Sequence, residues 1–195
     1  MQLEFISREQ YRHKIAPEFL EDIQNRFGPA YLLPEGGTNE LAIRGCEEIL
    51  GEDDAKYSCI CCAVGTGGTF AGIVRGSFPG QQIQGYPALK APGLRRDLGR
   101  WIPKGNWKLV QGYHFGGYAR IDPNLIRFIN EFREATGVPL DPVYTGKMMY
   151  GIFEEIRSGR LREGSRILAI HTGGLQGIAG MNVKLKKKNL PLLAL

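Results

Sequence analysis

Short apolar runs alternate along the chain with longer segments whose apolar residues recur at helical spacing. The short runs predict strands at LEFI (3–6), YLLP (31–34), SCICCAVG (58–65), QIQGYPAL (82–89), KLVQGY (108–113) and RILAIHTG (166–173). The longer segments predict helices at 17–28, 38–51, 70–76, 94–102, 122–137, 147–159 and 175–185. Strands that alternate with helices predict an α/β fold in three layers, a parallel sheet with helices on both faces.

Glycine clusters follow three of the predicted strands. EGGTN comes after YLLP, GTGG after SCICCAV, and TGG after RILAIH. Ligands of parallel sheets bind at the carboxyl ends of the strands, which is where these clusters fall. In AVGTGGTFAG (63–72), bare backbone N–H groups and the N-terminus of a helix beginning near Thr69 would favour an anion, typically phosphate. A tight structural turn would leave the same pattern, so both interpretations stay open here.

Common nucleotide and hydrolase motifs are absent from these loops. G-x-G-x-x-G would need glycine where Phe70 stands, and the P-loop motif fails because Met148 follows Gly146-Lys147. No G-x-S-x-G elbow occurs. His171 ends an apolar strand and is predicted to be a packed, hydrogen-bonded residue rather than a ligand. A small phosphorylated cofactor remains the best ligand for the glycine loops.

Composition narrows the class of protein only a little. The chain is 43% hydrophobic and 23% charged, which is ordinary for a globular protein, and its net charge is +5. Part of that charge is a run of lysines near the C-terminus without interleaved aromatics, which favours a solvated helix end over a nucleic-acid surface. The four cysteines lack zinc-site spacing and are expected to be reduced, mostly buried thiols. The first residues contain no signal peptide or membrane span, so we expect a cytoplasmic protein.

Five motifs together resemble a known family. VGTGGTFAG, EGGTN, YHFGGYAR, DPVYTGK and HTGG are similar to those of the 1-aminocyclopropane-1-carboxylate deaminase and D-cysteine desulfhydrase family. The resemblance covers nearly the whole chain. DPVYTGK and HTGG are rather specific, whereas GTGGT is shared by many related enzymes. The resemblance implies a pyridoxal 5′-phosphate enzyme with the fold type II, or tryptophan-synthase-β-like, architecture.

The resemblance also implies roles for individual residues. It places the cofactor's phosphate on Thr66, Gly67, Gly68 and Thr69. Tyr144 would lie near the cofactor ring and the substrate, with Tyr118 as a second active-site tyrosine. Thr145 and Thr172 stand where the deaminase branch carries glutamate and leucine, and this pair is associated with D-cysteine desulfhydrases.

The threonines bear on the chemistry. A carboxylate beside the pyridine nitrogen would favour its protonated form and make the ring a strong electron sink, whereas a hydroxyl cannot. A weaker sink suffices to expel thiolate, so we expect β-elimination of a small amino acid, best D-cysteine, to pyruvate, ammonia and sulfide. The alternatives are the cyclopropane deaminase, a non-catalytic domain that binds a phosphorylated ligand, and a racemase or a serine or threonine dehydratase.

The family's cofactor-binding lysine is missing from this sequence. In the family it lies in an N-terminal Asn-Lys motif followed by a Ser-Asn-His stretch, and neither occurs here. Lys147 matches a different lysine of the family. We therefore expect residues 1–30 to be a remnant of the small domain and 31–195 the large cofactor-binding domain. The chain alone is expected to be inactive, and the full-length enzyme is expected to be a homodimer without nucleic-acid or membrane partners.

Overall fold

The computed structural model describes residues 3–194, and these divide into two units after Pro34. The first unit contains helices α1 (Arg8–Arg12) and α2 (Pro17–Phe27). None of residues 3–34 is buried. The predicted boundary, between residues 30 and 31, lies slightly earlier, and the assignment of the first unit to a small domain stays a prediction.

Helix α2 confirms its prediction, because Pro17 occupies its first position and Gly28 caps its end with φ of 77°. The strands predicted at 3–6 and 31–34 are wrong. Within residues 3–194 neither segment joins a ladder, and Phe5 and Leu33 are 91% and 73% exposed. An apolar run becomes a strand only when a neighbouring strand satisfies its backbone groups.

The second unit contains the remaining helices and all four strands found in the described residues. The helices are α3 (Glu40–Cys46), α4 (Gly68–Gly76), α5 (Leu94–Gly99), α6 (Pro123–Thr136), α7 (Thr145–Arg157) and α8 (Gly177–Lys187). The strands are β1 (Cys59–Val64), β2 (Gln82–Pro87), β3 (Trp107–Leu109) and β4 (Ile167–Ile170). Short 3₁₀ turns lie at Glu35–Gly37, Glu47–Ile49 and Glu52–Lys56.

The four strands form one parallel sheet in the order β3-β2-β1-β4. Strand β1 is buried throughout, and its alternate side chains enter two different cores. Ile60, Cys62 and Val64 pack with α3, α4 and α5, whereas Cys59, Cys61 and Ala63 pack with α7. A third cluster joins α6 and α8. The predicted three-layer arrangement with helices on both faces is therefore confirmed.

Most predicted elements of this unit are present, with shifted ends. Helix α6 follows the prediction closely, since Asp122 accepts a hydrogen bond from the N–H of Leu125 and Gly137 ends the helix in the left-handed conformation. Helix α3 starts later than predicted, because the side chain of Asn39 rather than Thr38 caps it. The cysteines of β1 are buried free thiols, as predicted.

The order of the strands creates a crevice at the carboxyl end of the sheet. The chain leaves β1 towards β2 on one side and returns as β4 on the other side. Loops that follow neighbouring strands on the two sides of such a switch point diverge and leave room for a ligand. In residues 3–194, no helix is both long and apolar enough to cross a membrane.

Candidate ligand-binding site

A cavity of about 330 Å³ opens where β1 and β4 end. Its lining residues come from the three glycine clusters, from Tyr144 and from the start of α4. They are Gly36, Ala63, Gly65, Thr66, Gly67, Gly68, Thr69, Phe70, Tyr144, Thr172, Gly173, Gly174 and Gln176. The volume lies at the small end of the range for ligand pockets. The structure therefore brings together the three loops that the sequence singled out.

The loop after β1 and the EGGTN loop interlock in what we call the glycine cradle, formed by Gly36, Gly65 and residues 66–69. The hydroxyl oxygens of Thr66 and Thr38 lie 2.6 Å apart in a hydrogen bond. A methyl group on Gly36 would lie 2.6 Å from Oγ1 of Thr66, and one on Gly68 would lie 2.9 Å from Oγ1 of Thr38. Neither position can accept a side chain unless its neighbour moves.

Helix α4 directs its N-terminus at this cavity. Gly67 precedes the helix in the left-handed conformation, with φ of 100°, and no side chain caps the first turn. The first N–H groups of an α-helix have no acceptor within the helix, and the helix dipole adds partial positive charge there. The cradle therefore offers neutral donors and a favourable potential to an anion, and it fits the phosphate group of a small cofactor.

The cavity contains no cationic side chain among residues 3–194. Its lining holds tyrosine, threonine, glutamine and small residues, but no lysine, arginine or histidine. A phosphate would accordingly be held by amides and hydroxyls alone. No lysine in this part of the chain is placed to bond covalently to a ligand in the cavity.

Tyr144 is positioned by a turn built on Asp141, which we call the Asp141 turn (residues 141–145). The buried Asp141 carboxylate accepts hydrogen bonds from the N–H groups of Val143, Tyr144 and Thr145, at 2.7 to 2.9 Å, and from the Thr145 hydroxyl at 2.8 Å. These bonds set the direction in which the Tyr144 side chain leaves α7. The ring then contacts the cradle, since a methyl on Gly65 would lie 3.2 Å from its Cε1 atom.

The phenol of Tyr144 keeps its proton at ordinary pH. Burial, followed by the neighbouring Tyr118, raises the pKa of Tyr144 to about 12. Its ring meets that of Tyr118 edge-on, with centroids 6.2 Å apart. Tyr144 is therefore suited to donate a hydrogen bond rather than to act as a phenolate base.

Tyr118 lies beside the first cavity rather than in it. It is 62% exposed and borders an adjoining cavity of about 710 Å³. Tyr144 and Thr66 border both cavities, and Leu89 and Leu94 give the second cavity an apolar side. The structure therefore brings the two predicted tyrosines together at the junction of the two cavities.

The two threonines of the sequence prediction occupy different surroundings. Thr172 is exposed and lines the cavity. Thr145 is fully buried, and its hydroxyl both donates to the Asp141 carboxylate and accepts from the Asp141 N–H. Thr172 therefore lies at the cavity, whereas the Thr145 hydroxyl is fully hydrogen-bonded within the Asp141 turn. Helix α7 begins at Thr145 and turns its side chain inward.

His171 holds the loop after β4 in place. Its Nδ1 accepts a hydrogen bond from the N–H of Gly173, so its Nε2 donates to the carbonyl of Pro139, at 2.9 Å. The predicted hydrogen-bonded role is confirmed, although the side chain is exposed rather than packed. No cluster of His, Cys, Asp or Glu suited to a metal ion occurs in the described residues.

Sequence reasoning missed Asp141 and the surroundings of Lys147. An Asp-Pro pair just before a predicted helix is a capping signal, and it could have pointed to Asp141. Lys147 is buried among backbone carbonyls of distant segments, and burial lowers its pKa to about 8. No local pattern predicts such a position.

Comparisons with known proteins show which family and fold the chain is similar to. The mitochondrial bifunctional D-cysteine desulfhydrase/1-aminocyclopropane-1-carboxylate deaminase of Arabidopsis thaliana is 34% identical, over 89% of this chain and 49% of its own length. A D-cysteine desulfhydrase of Klebsiella pneumoniae is 28% identical, over 74% of this chain and 50% of its own length. A crystal structure of an ACC deaminase homologue superimposes with a TM-score of 0.77 at 27% identity, covering 95% of this chain and 62% of that one.

The chain belongs to the 1-aminocyclopropane-1-carboxylate deaminase and D-cysteine desulfhydrase family. The expected family and its tryptophan-synthase-β-like fold are thus confirmed. No family model matches the chain. The chain spans about half the length of the curated relatives it matches.

Proposed function

We propose that this member of the family binds pyridoxal 5′-phosphate and serves in β-elimination from a small amino acid, best D-cysteine. The observation that supports it most is the meeting of the glycine cradle, the N-terminus of α4, Tyr144 and Thr172 around one cavity. The cradle and the helix N-terminus offer an anion site for the phosphate. Tyr144 offers an aromatic neighbour for the ring and the substrate, and Thr172 offers a polar partner. The amino-acid substrate and assembly as a homodimer belong to the same proposal.

The residues that would hold the cofactor can be named. The amides of residues 66–69 would take its phosphate, and the hydroxyl of Thr172 would offer the ring nitrogen an uncharged partner. When bound, the cofactor supplies an aldehyde and an electron-withdrawing ring that ease loss of an amino acid's α-proton. The base that removes this proton is not among the cavity-lining residues in 3–194.

Tyr144 suits the release of sulfur. Its phenol is protonated below a pKa of about 12, so its Oη can donate a hydrogen bond to the departing thiolate, which takes its proton from water. Water then completes the balance, because D-cysteine and water together yield pyruvate, ammonia and hydrogen sulfide. The hydroxyl of Thr172 leaves the ring a weaker sink than a carboxylate would, which favours a good leaving group over opening of a cyclopropane.

One observation favours a second candidate, a domain that binds a phosphorylated ligand without turnover. None of the lysines in residues 3–194 lines the cavity, and covalent attachment of the cofactor requires a lysine. On either proposal the cradle binds phosphate, so binding and turnover have to be tested separately.

Binding is tested by titrating the purified protein with pyridoxal phosphate, pyridoxal and inorganic phosphate in a calorimeter. We expect pyridoxal phosphate to bind and pyridoxal to bind at least roughly tenfold more weakly. Gly68→Ala should weaken binding because its methyl would displace Thr38. Gly180→Ala, where a methyl meets open space in α8, is the matched control. Equal affinity for pyridoxal and its phosphate, or no effect of Gly68→Ala, would contradict the proposed phosphate site.

Turnover is tested on the protein isolated from its own cells with every chain that accompanies it. Sulfide release from D-cysteine exceeding ammonia release from 1-aminocyclopropane-1-carboxylate would support the desulfhydrase. The opposite preference would replace it with the deaminase. Phosphate-dependent binding with neither activity would support the non-catalytic domain.

A further inference from the structure

The side chain of Lys147 enters the interior from α7 and is 1% exposed. Its ammonium donates to three backbone carbonyls, those of Ala88 at 3.0 Å, His114 at 3.0 Å and Gly117 at 2.8 Å. Ala88 directly follows β2, whereas His114 and Gly117 belong to residues 112–121, which we call the Tyr118 loop. One side chain thus ties the loop to the end of a sheet strand.

The Tyr118 loop has little regular structure to hold it. Two of its non-glycine residues, Phe115 and Ala119, have φ of 53° and 51°, which side-chain-bearing residues rarely adopt. Its internal backbone bonds include those from Gly117 N–H to the His114 carbonyl and from Arg120 N–H to the Gly117 carbonyl. A conformation of this kind persists only when surrounding contacts determine it, and Lys147 contacts both of these carbonyls.

The same contacts exclude Lys147 as the lysine that bonds to the cofactor. An ammonium has three N–H donors, and three carbonyls accept from this one. The side chain lines neither the cavity of the glycine cradle nor the cavity beside Tyr118. Its hydrogen bonds therefore join the end of β2 to the Tyr118 loop and leave its amine no part in bonding to a ligand.

We propose that Lys147 is a positioning residue that fixes the Tyr118 loop to the end of β2 and so sets Tyr118 against Tyr144. Lys147 lies three residues beyond Tyr144, which directly precedes α7, so the first turn of that helix positions both the tyrosine and the lysine that holds its neighbour. The consequence for catalysis rests on the proposed function, whereas the clamp itself does not.

Hydrogen–deuterium exchange of the protein tests the clamp without any ligand or activity. Lys147→Met keeps the apolar stem and removes the donors, so amides of residues 112–121 should exchange at least roughly tenfold faster. Lys147→Gln, which retains two N–H donors, should show a smaller increase and serves if the methionine variant does not fold. Unchanged exchange in this segment, or an equal increase throughout the chain, would overturn the proposal.

Lys104 provides a matched control. Its ammonium also donates to backbone carbonyls, those of Arg75 at 2.7 Å and Ser77 at 2.8 Å, away from the Tyr118 loop. Lys104→Met should leave exchange of residues 112–121 unchanged. Faster exchange of the loop in this variant as well would indicate a general loss of stability instead of a local clamp.

A double-mutant cycle tests whether Lys147 acts through Tyr118. Lys147→Gln should weaken pyridoxal phosphate binding severalfold in the wild-type background but not in a Tyr118→Ala background. Equal weakening in both backgrounds would show that Lys147 does not act through Tyr118. If the wild-type protein does not bind pyridoxal phosphate, the proposed function fails, whereas the exchange experiment still decides the clamp.

Discussion

The glycine cradle and the Asp141 turn meet at the same cavity but are built in opposite ways. The cradle depends on residues without side chains, since a methyl on Gly36 or Gly68 would collide with a threonine of the facing loop. The Asp141 turn works by groups that are present, because one buried carboxylate accepts four hydrogen bonds within residues 141–145. The cradle should therefore fail when atoms are added, and the turn should fail when hydrogen bonds are removed.

This difference separates binding from stability. The cradle lies in a loop whose N–H donors face a cavity. A substitution there should therefore change the affinity for a ligand more than the stability of the fold. The Asp141 turn starts α7, whose side chains Met148 and Ile152 pack on the sheet. A substitution that disrupts the turn should therefore disturb the packing of α7 on the sheet and lower the stability of the protein. Four experiments test this division, from the largest expected effect to the smallest.

Asp141→Ala should be the most damaging substitution. It leaves three buried or half-buried N–H groups and the Thr145 hydroxyl without their acceptor, and we expect a loss of about 3–4 kcal/mol of unfolding free energy. Urea denaturation monitored by circular dichroism measures it. Asp122→Ala, which removes the single cap bond to Leu125, is the control and should cost about 1 kcal/mol. Equal losses would show that the turn is an ordinary cap.

Gly36→Ala and Gly37→Ala test the cradle with backbone strain held equal. Both residues have positive φ, 69° and 68°, so each substitution should cost about 1 kcal/mol of stability. Only the methyl on Gly36 would meet Thr66, whereas that on Gly37 would meet open space. Affinity for pyridoxal phosphate should therefore fall roughly tenfold in Gly36→Ala alone. Similar affinities in calorimetry would refute the steric account.

Thr145→Val and Thr172→Val compare the two threonines directly. Thr145→Val removes two buried hydrogen bonds to Asp141 and should cost about 1–2 kcal/mol in urea denaturation. Thr172→Val changes an exposed residue and should shift the free energy of unfolding by less than about 0.5 kcal/mol, while weakening the binding of the ligand. If both variants kept full stability, the Asp141 turn would be more tolerant than its geometry indicates.

Tyr144 should produce a small pH effect of known sign. Its folded-state pKa of about 12 exceeds the ordinary value of about 10, so its contribution to stability is complete below about pH 10 and declines as pH rises towards 12. Between about pH 9 and about pH 11 the wild type should lose more unfolding free energy than Tyr144→Phe, in parallel urea titrations. Identical losses would mean that the phenol is solvated as in the unfolded chain.

The cradle was visible in the sequence because its signal is local. Three glycine clusters directly after apolar runs predict loops at one edge of a parallel sheet, and the motif DPVYTGK placed Tyr144 beside them. The same local logic failed at 3–6 and 31–34, where apolar residues resemble strands but no described strand pairs with them. The resemblance named Thr145 and Thr172 together, and the structure places them in different surroundings, one buried against Asp141 and one at the cavity.

The amino-acid sequence by itself determined the alternation of strands and helices, the glycine loops and the family. Local propensity, periodicity and turn chemistry operate between near neighbours, so a linear pattern records them. Only the tertiary structure decided that Thr145 turns inward to Asp141 and that Lys147 binds carbonyls of residues 88, 114 and 117. The bonds of Lys147 join segments that are 30 to 59 residues apart in the chain. The bond of Thr145 is local, but which way its side chain turns depends on the face that α7 packs on the sheet.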